Sequence, residues 1–150
     1  MWAELAEAVG PAEVLWQALR LGLSPNPLLG IAAATLAATL GGHPRVRREQ
    51  RIWAWTVLAA GWLIGDGLRV IGRLRDTLAG SGPLASSPVW LAAAALAVWA
   101  FAGFAVGYLA PAAAGWAVGR RVTHGTGWLA AGSVAVGVSL ALATVLARIA

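Results

Sequence analysis

Four stretches of this chain carry no charged side chain: residues 27–42, 52–65, 89–119 and 128–147. At a rise of about 1.5 Å per residue, a helix over 89–119 measures about 47 Å and one over 128–147 about 30 Å. The hydrocarbon core of a bilayer is about 30 Å thick. Only 11% of the 150 residues are charged and 59% are hydrophobic, where a soluble domain has about 25% charged residues. So few charges cannot coat a soluble fold of this size, whereas surface facing lipid needs none. The expected fold is an all-α integral membrane protein: one membrane domain, 1–150, built as a bundle of about four transmembrane helices with an N-terminal amphipathic interfacial helix. The apolar content excludes disorder. The absence of cysteine excludes disulfide frameworks, cysteine-ligated zinc and thiolate chemistry.

Local signals set the boundaries. In 1–24, Trp2, Leu5, Val9, Ala12, Trp16, Leu19 and Leu23 recur every three or four residues, the period of one helix face. Glu4 and Glu7 stand where a signal peptide would be basic. The segment reads as a helix lying in the membrane interface or packed on the bundle. A first span at 27–42 opens with Asn26 as N-cap and Pro27 in the first turn. It is 16 residues long, short for a crossing unless residues before Pro25 contribute. A second span covers about 52–72, its helix running on to about residue 79. Ser87 is expected to cap a third, 88–110 with an extension to 119, that Pro111 should kink or break. The fourth covers about 127–147.

All eleven basic residues are arginine. With so much Ala and Gly, this is the mark of a GC-rich genome, and the cytoplasmic (inner) membrane of such a bacterium is the expected location. No soluble basic fold is present to bind nucleic acid. Arg45, Arg47, Arg48, Arg51, Arg120 and Arg121, with Trp53, Trp90 and Trp128 at span starts, read as lipid-headgroup anchors, and Trp116 as part of the same belt. The turns at 43–51 and 119–126 share one side and hold six arginines against five on the other, which places both termini outside.

Gly61 and Gly65 in the second span, and Gly103, Gly107, Gly115 and Gly119 in the third, form small-residue columns. Such columns let helix backbones approach closely in lipid. Packing within one chain is the first expectation, and association with a second copy or a larger membrane complex the other.

One cluster carries ionisable groups near membrane depth. Asp66, Arg69, Arg73 and Asp76 share a helix face at spacings of three, four and three, so that Asp66 can pair with Arg69 and Asp76 with Arg73. Charge at depth marks a functional site by default, while the plain alternative is a solvated helix end at the interface. His43 and His124 flank turns on one side, with no carboxylate or cysteine spaced to help them, so no metal or cofactor is expected. There is no nucleophile elbow, zinc-protease helix or phosphate loop. Ser133 and Ser139 are expected to bond their own helix backbone. Two functions follow: a non-enzymatic accessory, scaffold or assembly subunit, or a small oligomeric channel or transporter using the Asp66/Arg69/Arg73/Asp76 face.

Overall fold

The computed structural model describes residues 10–23, 27–43, 45–82, 84–122 and 125–149, and these are helical or in short connections. Among the described residues there are five helices: α1 (Pro11–Gly22), α2 (Pro27–Gly41), α3 (Arg48–Leu78), α4 (Val89–Gly119) and α5 (Gly127–Ile149). Three of them, α3, α4 and α5, are each long and apolar enough to cross a membrane, and α1 with α2 reaches that length only as a pair bent by 65°. The all-α polytopic architecture read from the charge-free runs is therefore present, with three such helices, or four if the bent pair is one span.

The N-terminal helix is packed rather than isolated. Val14 and Ala18 of α1 are buried in one apolar cluster with Leu84, Leu91, Ala92, Ala95 and Leu96. Trp16 is left outward with the Arg20 guanidinium 5.5 Å over its ring, a cation–π contact. The bent pair tracks α4 from end to end. A Cβ on Gly22 would meet the Trp99 carbonyl, one on Gly30 the Gly107 carbonyl, one on Gly115 the Ala38 side chain, and one on Gly119 the Gly42 carbonyl. Residues on both sides of Pro25 thus pack against α4, and Pro27–Gly41 is not by itself long enough to count among the spanning helices.

Pro111 does not break α4, one of the two outcomes expected from the sequence. A π-helical turn, Ala105–Leu109, lies just before it and the helix runs on to Gly119. The wider turn absorbs the lost donor and the ring's bulk, where a regular α-turn would clash. A second π-turn, Leu63–Gly67, interrupts α3. Ser87 does not cap α4. The N-cap is Pro88, without a side-chain bond, and the Ser87 hydroxyl has no partner among the described residues; Pro88 at the cap carries the chain in extended (φ −53°, ψ 142°). At the other end of the α3–α4 connection, Gly80 (φ 73°) and Gly82 (φ 89°) take conformations that only glycine adopts freely.

The core is made of small side chains. Ala33, Ala34, Ala37, Ala54 and Ala112 are buried with Leu58 and Tyr108, and Ala38, Ala131 and Ala135 form a neighbouring cluster. Large apolar residues point outward instead, including Trp53 (62% exposed), Trp90 (61%) and Trp128 (47%). This inside-out distribution suits helices surrounded by lipid, where close backbone contact holds the bundle together.

Candidate functional site

The two π-turns meet. The Tyr108 hydroxyl, from the π-turn of α4, donates a 2.9 Å hydrogen bond to Asp66 Oδ2, in the π-turn of α3. Tyr108 is fully buried and Asp66 is 6% exposed. Asp66 lies about 27 Å along α3 from Arg48 and about 18 Å from Leu78, and Tyr108 about 28 Å along α4 from Val89 and about 17 Å from Gly119. The pair thus sits well inside two helices whose outer faces are apolar. Gly22, at the end of α1, lies beside Gly103, and Gly30, near the start of α2, beside Gly107, at much the same level. π-turns inside α-helices concentrate at functional sites because they re-aim side chains out of the regular register.

The helix wall explains the approach. Gly65 and Gly67 flank Asp66 and are buried with it; a larger side chain at Gly67 would press on Leu63 and Trp62. At Gly61 a Cβ would collide with Ala33. Trp62 stacks edge-on to Phe104 at 6.2 Å, closing one flank. Its ring N–H is buried with no partner among the described residues.

Beyond Asp66 the polar face continues into a cavity of about 410 Å³. Arg69, Arg73 and Asp76 of α3 line it, with an apolar floor from Ala18, Leu21, Leu96 and Trp99 of α1 and α4. The opposite face of the same segment presents Leu68, Ile71, Leu74 and Leu78, all exposed. This stretch of α3 therefore exposes its leucines and isoleucine while Arg69, Arg73 and Asp76 border the cavity; Arg75, 85% exposed, lies outside it. Asp76 forms its ion pair with the adjacent Arg75, at 3.7 Å, and not with Arg73 as the spacing had suggested.

The remaining sequence-derived residues are placed as follows. Gly103, Gly107, Gly115 and Gly119 face α1, α2 and α5 of the same chain, and Gly61 faces α2. Arg45, Arg47, Arg48 and Arg51 are exposed around the α2–α3 turn, and Arg120 and Arg121 in the α4–α5 turn. His43 accepts a 3.1 Å bond at Nδ1 from the Arg45 N–H, and His124 lies outside the described residues. No group of three or more His, Cys, Asp or Glu among the described residues can hold a metal. Trp116 is not a belt residue. Its Nε1 donates a 2.7 Å bond to the Ala37 carbonyl, and its ring lies 5.6 Å from Trp55, because Gly41 leaves room for the indole. Ser139 does not bond its own helix. Its buried hydroxyl has no partner among the described residues and borders a small cavity with Gly30, Gly107 and Pro111.

Tyr108 is the member that sequence reasoning missed. It is the chain's sole tyrosine, it falls mid-span, and its hydroxyl needs a partner there; those signals could have nominated it. No protein family, curated protein or solved structure matches this chain.

Proposed function

We propose that this chain is a small, non-enzymatic transport protein of the cytoplasmic membrane, in which Asp66 is the proton-binding group and Tyr108 its positioning partner. The four-span form of the bundle, with α1 and α2 as a broken first span, belongs to this reading. The observation that carries it is the Tyr108–Asp66 hydrogen bond between two facing π-turns. Broken or irregular helices at mid-depth are where small transporters bind their ions and solutes.

The chemistry is simple. An ionised carboxylate only accepts hydrogen bonds, and a protonated one also carries a donor. When a proton binds Asp66, the carboxyl gains a donor and loses its charge, so the charge-assisted bond from the Tyr108 hydroxyl becomes a weaker neutral one. That change weakens the Tyr108–Asp66 tie between the π-turns of α3 and α4.

Proteoliposomes with an entrapped pH dye and an imposed proton gradient test this. Wild type is expected to dissipate the gradient faster than Asp66→Asn, which should match protein-free vesicles. Wild type that behaves like empty vesicles would sink the reading.

A second reading, the accessory or assembly subunit, is favoured by the closed half of the bundle. From Tyr108 to the α4–α5 turn, Gly115 and Gly119 press against Ala131 and the backbones of α2 and α5, so the polar recess is open at one end. A subunit of this kind co-purifies with a larger complex from native membranes; a chain that always purifies alone does not support it.

A further inference from the structure

We infer that the cavity between α1, α3 and α4 is a binding site for a zwitterionic phospholipid of the phosphoethanolamine class, its phosphate on Arg69 and Arg73 and its ammonium on Asp76. Three observations carry the assignment together. The first is spacing: Arg69 and Arg73 are four residues apart, so both guanidiniums project from one helix face into one cavity. Paired guanidiniums suit a phosphate because each offers several donors in a fixed fork.

The second is the charge sequence along α3. Arg69, Arg73 and Asp76 run two positive, then one negative, toward the helix end over about 10 Å. A free phosphate or an anionic lipid gains from the arginines but meets the Asp76 carboxylate. A phosphate followed by an ammonium matches all three groups. Asp76 keeps its Arg75 partner only across 3.7 Å at an exposed site, a weak tie that an incoming ammonium can replace.

The third is the floor. Ala18, Leu21, Leu84, Ala95, Leu96 and Trp99 line the rest of the cavity, an apolar surface next to a charged wall. A free headgroup leaves that floor wet. A lipid covers it with glycerol and the first methylenes of an acyl chain, removing that apolar floor from water. The exposed apolar face of Leu68–Leu78 keeps this stretch of α3 in contact with the lipid leaflet from which the ligand comes.

Native mass spectrometry of the full chain, released from nanodiscs holding equal phosphatidylethanolamine, phosphatidylglycerol and phosphatidylcholine, tests the site. Wild type should retain phosphatidylethanolamine about tenfold over the other two, the scale of one charge-assisted hydrogen bond. Arg69→Gln/Arg73→Gln should lose all retention. Asp76→Asn should shift preference to phosphatidylglycerol, an inversion that mere misfolding does not produce. Glycerophosphoethanolamine and inorganic phosphate, added as competitors, should displace little lipid. Equal retention of the three lipids, variants that retain like wild type, or displacement by either soluble competitor would overturn the assignment. Lipid retention is read without any flux, so it stands or falls independently of proton movement at Asp66.

Discussion

Gly30 and the Gly107 carbonyl lie against each other: a Cβ on Gly30 would come within 3.0 Å of that oxygen. Gly107 is four residues before Pro111, which has no N–H to offer it. The π-turn around Gly107 and the bare backbone at Gly30 answer the same problem from two helices. One re-spaces the α4 hydrogen bonds, and the other lets α2 close over the carbonyl. The Tyr108 side chain follows immediately in that π-turn, so the device that accommodates Pro111 also sets Tyr108 toward Asp66.

Close packing of this kind gives the first prediction. Gly115→Ala places a Cβ 2.5 Å from the Ala131 carbonyl and 2.8 Å from Ala38. Neither neighbour is a flexible side chain, so helices must separate, at a cost of about 1–3 kcal/mol. Gly137→Ala, on the same bundle, meets nothing within 4 Å and should stabilise by about 0.5–1 kcal/mol through the lost backbone entropy. Thermal unfolding in one detergent, followed by circular dichroism, should move the two midpoints in opposite directions.

Two indoles give a second. Trp116→Phe removes the 2.7 Å bond to Ala37 and leaves that carbonyl short of a donor, which costs about 1–3 kcal/mol. Trp62→Phe removes a buried N–H that has no partner among the described residues. Its loss should cost only the smaller ring's packing. The same unfolding measurement should rank Trp116→Phe as the more damaging change, and the reverse order would mean that the Trp62 N–H is satisfied.

Charge-free runs made the long helices legible, because a span is defined by what it lacks. The start of α3, the end of α4 and both ends of α5 fall close to the arginines and glycines that bound those runs, whereas α3 runs on past Asp66 to Leu78. The i, i+4, i+7 spacing likewise placed Arg69, Arg73 and Asp76 on one face, and all three line one cavity. The partner of Asp66 was not legible. Tyr108 is 42 residues away, and the register between α3 and α4 depends on two π-turns that no periodicity announces. Trp116 misled for a related reason: its place near a span end suggests a belt, while the gap at Gly41 that takes the indole inward is a property of another helix. Ser87 looked like a cap, yet Pro88 already holds the cap conformation.

Orientation provides a third prediction. The arginines of the two turns at 45–51 and 120–121 outnumber those on the other side by one, so both termini are expected outside the cytoplasm. A phosphatase fused after α5 should be active and a cytoplasm-dependent reporter there silent. Adding two arginines after Arg148 should make both reporters partly active, because so narrow a margin is easily reversed. A C-terminus that reports only from the cytoplasm would contradict the assignment.

The last prediction separates what Tyr108 and Asp66 each do. An asparagine at 66 keeps a carbonyl oxygen where Oδ2 stands, so Asp66→Asn can still accept from the Tyr108 hydroxyl and should unfold within about 1 kcal/mol of wild type. It has no titratable proton site, so under the transport reading its proton flux should vanish. Tyr108→Phe has the opposite profile. It removes the 2.9 Å donor from a buried carboxyl group, a loss of about 1–3 kcal/mol, while Asp66 keeps its ability to bind a proton. Its flux should therefore survive, at a changed rate, in a less stable protein. Infrared difference spectra across a pH jump provide an independent reading: a protonated-carboxyl band present in wild type and Tyr108→Phe should be missing from Asp66→Asn. Equal stability losses in both variants, with flux and band unchanged in Asp66→Asn, would reduce the pair to a structural tie between two helices.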